Sequence, residues 1–321
     1  MFPFVKGPHP NSVFTDRGTF RYTGHMTRLR ADILLLLTAL IWGAAFVGQS
    51  TAMEHLGPFF FTGTRFLLAA LVVLPFALAE SAKGPPLRRD HTFLMATVGL
   101  VFFIASMTQQ AGLLATTVTN AGFLTALYVV LVPVIAFIAL KHRLPWIIWP
   151  AAALSLTGTW FLGGGIQGLN WGDGIMILSA LFWALQVLLI SSLASRSGRP
   201  ITLAAVQFAV TAALALALGF VFEPVSLKGI FSAWRELLFT GIISGGLGFT
   251  LQAVGQRYTP ASDAAIIMSS EALFAALFGA LLLGERLPLL GWIGCACILT
   301  AVIGVQLAPL LAASWQRRKI S

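Results

Sequence analysis

Apolar residues occur along the chain in long stretches, separated by short breaks that contain Gly, Pro or charged residues. A bilayer core of roughly 30 Å needs about 20 apolar residues per helix, and ten stretches are long enough to cross it. The predicted transmembrane helices are 33–52, 59–79, 92–114, 120–140, 146–164, 174–193, 201–222, 237–255, 261–283 and 289–311.

A membrane β-barrel would instead show segments of about 10 residues in which apolar and polar side chains alternate, and the sequence shows none. The composition also favours helices in a bilayer. Hydrophobic residues make up 58% of the chain and charged residues only 10%, which is too few to cover a water-facing surface. We therefore expect an all-α integral membrane protein.

The net charge of +9 is divided unevenly between the two predicted membrane faces. With the N-terminus inside, 16 of the 20 Lys and Arg residues fall on the cytoplasmic side. Lys228, Arg235 and Arg286 fall outside, and Arg65 lies within a predicted helix. This positive-inside bias predicts that both termini are cytoplasmic and that the basic residues meet lipid headgroups, with no nucleic acid as a partner. We expect a multi-pass protein of the plasma membrane, a bacterial inner membrane.

The two ends of the chain lie outside the predicted helical region. Residues 1–30 form a predicted cytoplasmic extension without the apolar core and cleavage site of a signal peptide. Residues 312–321 form a predicted basic cytoplasmic tail.

The helical region contains an internal repeat. ADILLLLTALIWG (31–43) resembles GDGIMILSALFWA (172–184) at an offset of 141, and TTVTNAGF (116–123) resembles TPASDAAI (259–266) at an offset of 143. The repeats, 31–164 and 172–311, each hold five predicted helices. Because five is odd, the second repeat enters the membrane from the opposite face, which is the inverted-repeat construction of secondary transporters that work by alternating access.

Several motifs resemble those of the EamA-type drug/metabolite transporter superfamily. They are LxALxWG in the first predicted helix, TxxxNAxFLTxLYxVLVP in the fourth and SxEALFAALFGALLLGERLP in the ninth. The resemblance covers both repeats and implies a ten-helix carrier of small metabolites, with many relatives that export amino acids or related compounds. One departure is Lys141 with His142, where the family commonly has Gly-Glu and the second repeat has Gly284 with Glu285.

Glu271 lies in the middle of the ninth predicted helix. A charged group facing lipid there costs about 3 kcal/mol or more, so Glu271 must face the bundle interior, a cavity or a partner. Its repeat equivalent is Tyr128, and the fold itself therefore requires no carboxylate at this position. Two roles stay open for Glu271: coupling to protons or to a substrate amine, and a structural hydrogen bond between helices.

Arg65, in the second predicted helix, has the repeat equivalent Gln207. Its permanent charge would suit a substrate carboxylate or phosphate. The alternative is that its side chain extends outward to lipid headgroups or to Glu54.

Other deep polar and aromatic residues complete the candidate site. Trp42 and Trp183 are repeat equivalents whose indole N–H groups need partners, with core packing as the alternative. Asn120 and its equivalent Asp263 stand at helix starts and are alternatively N-caps. The candidate substrate-binding residues are Trp42, Arg65, Gln109, Asn120, Tyr128, Trp183, Gln186 and Gln252, with Glu271 as the coupling residue.

The motifs of other functional classes are missing. The sequence has no HExxH, GxSxG or GxxxxGK[ST] motif, so we expect no enzyme activity, metal, cofactor or direct use of ATP. A channel would need a continuous polar stripe, and the polar residues within the predicted helices are sparse. A lipid or amphiphile flippase on the same fold stays an alternative. The sequence predicts a secondary active or exchange transporter that exports a small metabolite, with an amino acid or related compound favoured. Its expected partners are substrate, bilayer and candidate coupling protons, in a monomer or homodimer.

Overall fold

The computed structural model describes residues 12–14, 20–22, 26–83, 87–142, 144–162, 170–284, 286 and 288–318, with side chains described between 26 and 307. A π-helix, Phe239–Phe249, lies between α10 and α11. The other helices are α1 (Arg28–Ala52), α2 (Pro58–Ala82), α3 (Arg89–Gly112), α4 (Val118–Thr125), α5 (Tyr128–Ile138), α6 (Ile148–Leu162), α7 (Trp171–Ser197), α8 (Pro200–Phe222), α9 (Leu227–Ser232), α10 (Trp234–Leu238), α11 (Thr250–Gln256), α12 (Ala261–Met268), α13 (Glu271–Leu283) and α14 (Leu289–Arg318).

Two antiparallel strands, β1 (Ser12–Phe14) and β2 (Phe20–Tyr22), fall within the predicted extension 1–30. They depart from the all-helical prediction, and the rest of the extension before residue 26 lies outside the described residues. At the other end α14 continues into the predicted tail 312–321, of which residues 319–321 lie outside the described residues.

Nine helical segments within the described residues are long and apolar enough to cross a bilayer. Three of them combine shorter elements: α4 with α5, α10 through the π-helix to α11, and α12 with α13. The fifth predicted helix corresponds to α6, which is apolar but has only 15 residues. The chain is thus a multi-pass helical membrane protein, while the tenth full-length crossing stays a prediction.

The packing of helices follows the sequence repeat. The equivalent helices α2 and α8 contact each other, as do α6 and α14. Contacts between non-equivalent helices also occur in matching pairs, since α1 packs against α13 where α7 packs against α5.

Two glutamates fix the register of α2 against α8. The carboxylate of Glu223, just past the end of α8, accepts hydrogen bonds from the backbone N–H groups of Phe59 and the next residue, both at 2.8 Å. Near the end of α2, Glu80 accepts from the N–H groups of Ile201 at 3.2 Å and Thr202 at 2.7 Å. Each helix therefore supplies the negative charge that stabilises the N-terminus of the other, and the two helices run antiparallel.

The departure at Lys141 keeps the left-handed backbone conformation found at the equivalent position of the second repeat. Lys141 has φ 53° just after α5, and its equivalent Gly284 has φ 70° just after α13. Glycine is the residue that adopts this left-handed conformation most readily after a helix. The first repeat therefore makes the same turn with a lysine.

Gly43 allows α1 to approach α13 closely. A Cβ atom at this position would lie 2.4 Å from Cβ of Phe274 and 2.7 Å from the backbone N of Ala275. Since the second obstacle is backbone, a side chain at residue 43 would force the two helices apart.

We expect Gly43→Ala to destabilise the protein by about 1–3 kcal/mol, because overpacking at a rigid contact must be relieved by helix displacement. The matched control is Gly174→Ala, also within a helix, where a Cβ atom would meet nothing within 4 Å. Thermal unfolding in detergent measures both variants. Equal midpoints for the two variants would contradict the close approach.

Candidate functional site

The spans that carry Tyr128 and Glu271 are interrupted at equivalent places. In the first repeat the N–H of Leu127 bonds the carbonyl oxygen of Leu124 at 3.3 Å. In the second repeat the N–H of Ser270 donates to the carbonyl oxygen of Ile267, also at 3.3 Å. Both bonds join residues three positions apart, so a tighter turn replaces the α-helical pattern between α4 and α5 and again between α12 and α13.

Each interruption brings a new helix N-terminus to the middle of the bundle. Tyr128 is the first residue of α5 and Glu271 the first residue of α13. Both side chains are buried, with 2% and 3% of their surface exposed. The positive end of the α13 dipole favours a negative group at Glu271.

Side chains from both repeats surround one central cavity. The cavity has a volume of about 30 Å³. This is room for about two or three water molecules. The cavity is therefore far smaller than a pocket that holds a metabolite. The lining residues are Trp42, Phe46, Gln49, Arg65, Gln109, Thr125, Tyr128, Trp183, Val187, Ser244, Phe249, Gln252 and Glu271.

Four lining residues carry buried polar atoms whose hydrogen bonding is incomplete, although the hydroxyl group of Tyr128 and the carboxyl group of Glu271 interact with each other. These atoms are Nε of Arg65, Oγ1 of Thr125, the hydroxyl oxygen of Tyr128 and Oε1 of Glu271. Uncompensated buried polar atoms are costly in a protein interior. Their convergence on one cavity marks it as a site for a polar or charged ligand.

Arg65 is held inside the bundle by aromatic rings. Its guanidinium carbon lies 5.1 Å from the ring centroid of Phe61 and 4.6 Å from that of Phe66, within the range of cation–π attraction. Only 4% of the residue is exposed, and no ion pair to Glu54 is formed among the described residues. The alternative of an outward-pointing side chain is therefore wrong.

Trp42 and Trp183 meet at the cavity, with ring centroids 6.4 Å apart. The indole N–H of Trp183 donates to Oε1 of Gln109 at 2.6 Å. That of Trp42 makes a longer bond, 3.4 Å, to the backbone carbonyl of Ser244. Both indoles thus have the partners that burial requires, and both line the cavity while packing in the core.

Glutamine side chains form two buried hydrogen-bonded groups beside the cavity. Nε2 of Gln109 donates to Oε1 of Gln49 at 3.2 Å. Gln186 and Gln252 exchange two bonds of 3.1 Å, so Gln186 stands behind the cavity wall and orients Gln252, which lines it.

Asn120 lies away from the cavity. Its Nδ2 donates to Oγ1 of Thr116 at 2.8 Å and to Oδ1 of Asp173 at 2.7 Å, which places it at the start of α7. The N-cap prediction is also wrong, because Thr117 caps α4 by accepting from the N–H of Asn120. Asp263 is likewise inside α12, whose N-cap is Pro260.

Sequence reasoning missed six lining residues: Phe46, Gln49, Thr125, Val187, Ser244 and Phe249. Gln49 is a polar residue deep in the first predicted helix, a signal of the same kind as Gln109. Ser244 and Phe249 reach the cavity from the π-helix. No sequence pattern predicts such a helix, which often occurs at functional sites.

The protein is a multi-pass helical membrane bundle with a small central cavity that contains buried polar and charged side chains. The family model described as "EamA-like transporter family" matches residues 29–164 and 170–307. The chain therefore belongs to the EamA-like transporter family, which confirms the resemblance, and the family model matches it twice. The names of the family and of the relatives below are those of transporters, not enzymes.

Named relatives cover most of the chain. An uncharacterized transporter of Archaeoglobus fulgidus is 36% identical over 284 residues, 87% of each chain. The uncharacterized inner membrane transporter YedA of Escherichia coli K12 is 26% identical over 85% of this chain and 89% of its own. A Chlamydia trachomatis protein named an S-adenosylmethionine/S-adenosylhomocysteine transporter is 26% identical over 80% of this chain and 83% of its own.

A solved structure titled "Crystal structure of protein" has the same fold. Its TM-score is 0.71 at 20% sequence identity, over 90% of this chain and 99% of the other.

We expect Trp183→Phe to cost about 1–3 kcal/mol more stability than Trp42→Phe, because it removes the short hydrogen bond and leaves the amide oxygen of Gln109 without that donor. Both substitutions remove the same atoms at equivalent positions, so the loss of volume is matched. Thermal unfolding in detergent measures the difference. Equal destabilisation would show that the bond from Trp183 to Gln109 contributes no more than the longer bond from Trp42 to Ser244.

Proposed function

We propose that this protein is a secondary active or exchange transporter that exports a small zwitterionic metabolite, an amino acid or a related compound, by alternating access. The observation that carries the proposal is the presence of Arg65 and Glu271 in one small central cavity, where Nε of Arg65 has no hydrogen-bond partner and the carboxyl group of Glu271 lies beside the hydroxyl group of Tyr128. A zwitterion offers a carboxylate to the guanidinium and an ammonium group to the carboxylate. The hydroxyl groups of Thr125 and Tyr128 add neutral hydrogen-bonding capacity.

The inverted repeat with ten crossings is supported by contacts between helix starts. The beginning of α4 contacts the beginning of α7 through Asn120 and Asp173. Two helix starts in contact lie at the same membrane face, so the chain between them makes an even number of crossings. The α4–α5 span supplies one, and the short helix α6 supplies the other.

Alternating access is supported by the size of the cavity and by the equivalent interruptions at Tyr128 and Glu271. A cavity of about 30 Å³ is far smaller than the several hundred Å³ of ligand pockets, so a metabolite enters only after the bundle opens. Interrupted spans at the repeat interface are where secondary transporters bind their substrates.

The relatives agree with this substrate class and location. S-adenosylmethionine, named in the Chlamydia relative, carries the ammonium and carboxylate of an amino acid. The E. coli relative is named an inner membrane transporter, and the charge bias favours cytoplasmic termini for this chain.

A first experiment identifies the substrate by thermal stabilisation of the purified protein, because a ligand that binds the folded state raises the unfolding midpoint by mass action. The panel holds amino acids, nucleosides, sugar phosphates and amphiphilic cations. Stabilisation by zwitterions supports the proposal. Stabilisation by amphiphiles alone would instead favour a flippase.

If Glu271 couples transport to protons, Glu271→Gln should abolish pH-driven accumulation in liposomes and leave counterflow exchange intact, because the amide keeps the shape of the side chain and cannot carry the proton. Glu54→Gln, at an exposed glutamate, is the matched control. An equal loss of accumulation and exchange in Glu271→Gln would show that Glu271 does not couple transport to protons.

If Arg65 binds the substrate carboxylate, Arg65→Gln, which copies the Gln207 of the other repeat, should raise the half-saturation concentration for an amino acid about tenfold more than for its amide. The control is Arg235→Gln, at an exposed arginine. Radiolabel uptake into liposomes gives both constants. If the ratio of the half-saturation concentrations for acid and amide is unchanged, Arg65 does not bind the carboxylate.

A further inference from the structure

A cluster of side chains joins the start of α1 to the start of α12, away from the central cavity. Oδ1 of Asp32 accepts a hydrogen bond from the hydroxyl group of Thr259 at 2.7 Å. Nε of Arg28 lies 3.6 Å from Oδ2 of Asp32, and the same guanidinium bonds the carboxylate of Asp263. One arginine therefore bridges carboxylates on two helices, and we call these four residues the charged cluster.

A second cluster joins the start of α7 to the start of α4. Oδ1 of Asp173 accepts from the hydroxyl group of Thr116 at 3.0 Å and from Nδ2 of Asn120 at 2.7 Å. Asp173 also forms a reciprocal capping box with Asn170. We call Asp173, Thr116 and Asn120 the neutral-donor cluster, because its two donors are uncharged: Thr116 lies just before α4, and Asn120 lies within α4.

The two clusters are copies of one arrangement. Asp32 is the repeat equivalent of Asp173, at an offset of 141, and Thr259 is that of Thr116, at an offset of 143. The hydroxyl-to-carboxylate bond is therefore the same in both. The difference lies at the third position, where the carboxylate of Asp263 and its arginine partner stand in place of Asn120.

Each cluster ties together two spans that line the cavity. The charged cluster joins α1, which carries Trp42, to the span that carries Glu271. The neutral-donor cluster joins α7, which carries Trp183, to the span that carries Tyr128. Separation of either pair of helix starts would part the side chains that close the cavity.

We propose that the two clusters are latches which close the cavity at opposite membrane faces, and that the extra charge in one of them biases the substrate-free protein toward opening at the other. The inference rests on the proposed alternating-access transport. Hydrogen bonds between charged groups are stronger than those from neutral donors, so the charged cluster opens less often. The side chain of Arg28 in the charged cluster is 33% exposed. Salt on the side of the membrane where this cluster lies should therefore screen its charges and weaken the charged latch.

The test is the rate at which a cysteine in the cavity reacts with a charged, membrane-impermeant methanethiosulfonate added to one face of sealed vesicles. The reporter is Thr125→Cys in a background with Cys295→Ser and Cys297→Ser. The variant Asp263→Asn copies the neutral position of the other cluster, and Asn120→Ala weakens the neutral-donor cluster. Asp90→Asn, which removes a carboxylate from the exposed ion pair with Arg88, is the matched control.

We expect Asp263→Asn to raise the labelling rate from the cytoplasmic face by roughly threefold to fivefold and to lower it from the outer face, since opening at one face competes with opening at the other. Asn120→Ala should do the reverse, and the control should change neither rate. Thr259→Val, which keeps the shape and loses the bond to Asp32, should act in the same direction as Asp263→Asn.

Rates that change with the same sign at both faces, or that do not change, in both Asp263→Asn and Thr259→Val would overturn the latch proposal. Labelling needs no substrate, so this outcome is independent of the proposed substrate class. A transporter that failed the uptake tests could still show opposed labelling, and the two failures are therefore distinguishable.

Discussion

Inside a bilayer no polar group can rely on water, and the arrangement of this protein follows from that constraint. Backbone groups are satisfied by helices, and where the two central spans are interrupted the chain keeps hydrogen bonds three residues apart. Buried indole and glutamine side chains bond one another or the backbone. Arg65 and Glu271 stand apart from these groups because they are the charged side chains that line the central cavity.

The two repeats agree where the structure is held together and differ where charge enters the centre. The reciprocal caps from Glu80 and Glu223 are equivalent in both halves. The charged residues of the cavity are not, since Glu271 corresponds to Tyr128 and Arg65 to Gln207. A framework of two equivalent halves can exchange conformations, whereas an asymmetric centre can bind a ligand with two different charged ends.

The periphery of the bundle is linked to its centre by continuous helices. The start of α1 carries the charged cluster, and the middle of the same helix carries Trp42 at the cavity. The π-helix adds a further asymmetry, because the equivalent part of the first repeat, in α3, is a regular α-helix. Within the π-helix, the carbonyl group of Ser244 accepts a hydrogen bond from the indole N–H of Trp42. In the proposed latch mechanism, displacement of a helix start would therefore move the side chains that enclose the cavity.

The sequence alone determined the helical membrane class, the repeat and the family, because these depend on stretch length, composition and spacing. It also identified seven of the thirteen lining residues, since a deep polar, charged or aromatic side chain is conspicuous in an apolar helix. Only the tertiary structure decided that Arg65 points inward between two rings, that Asn120 belongs to a cluster at a helix start, and that α6 is short. It also added the other six, Phe46, Gln49, Thr125, Val187, Ser244 and Phe249, because side-chain direction and the π-helical backbone depend on contacts between spans that are far apart in the chain.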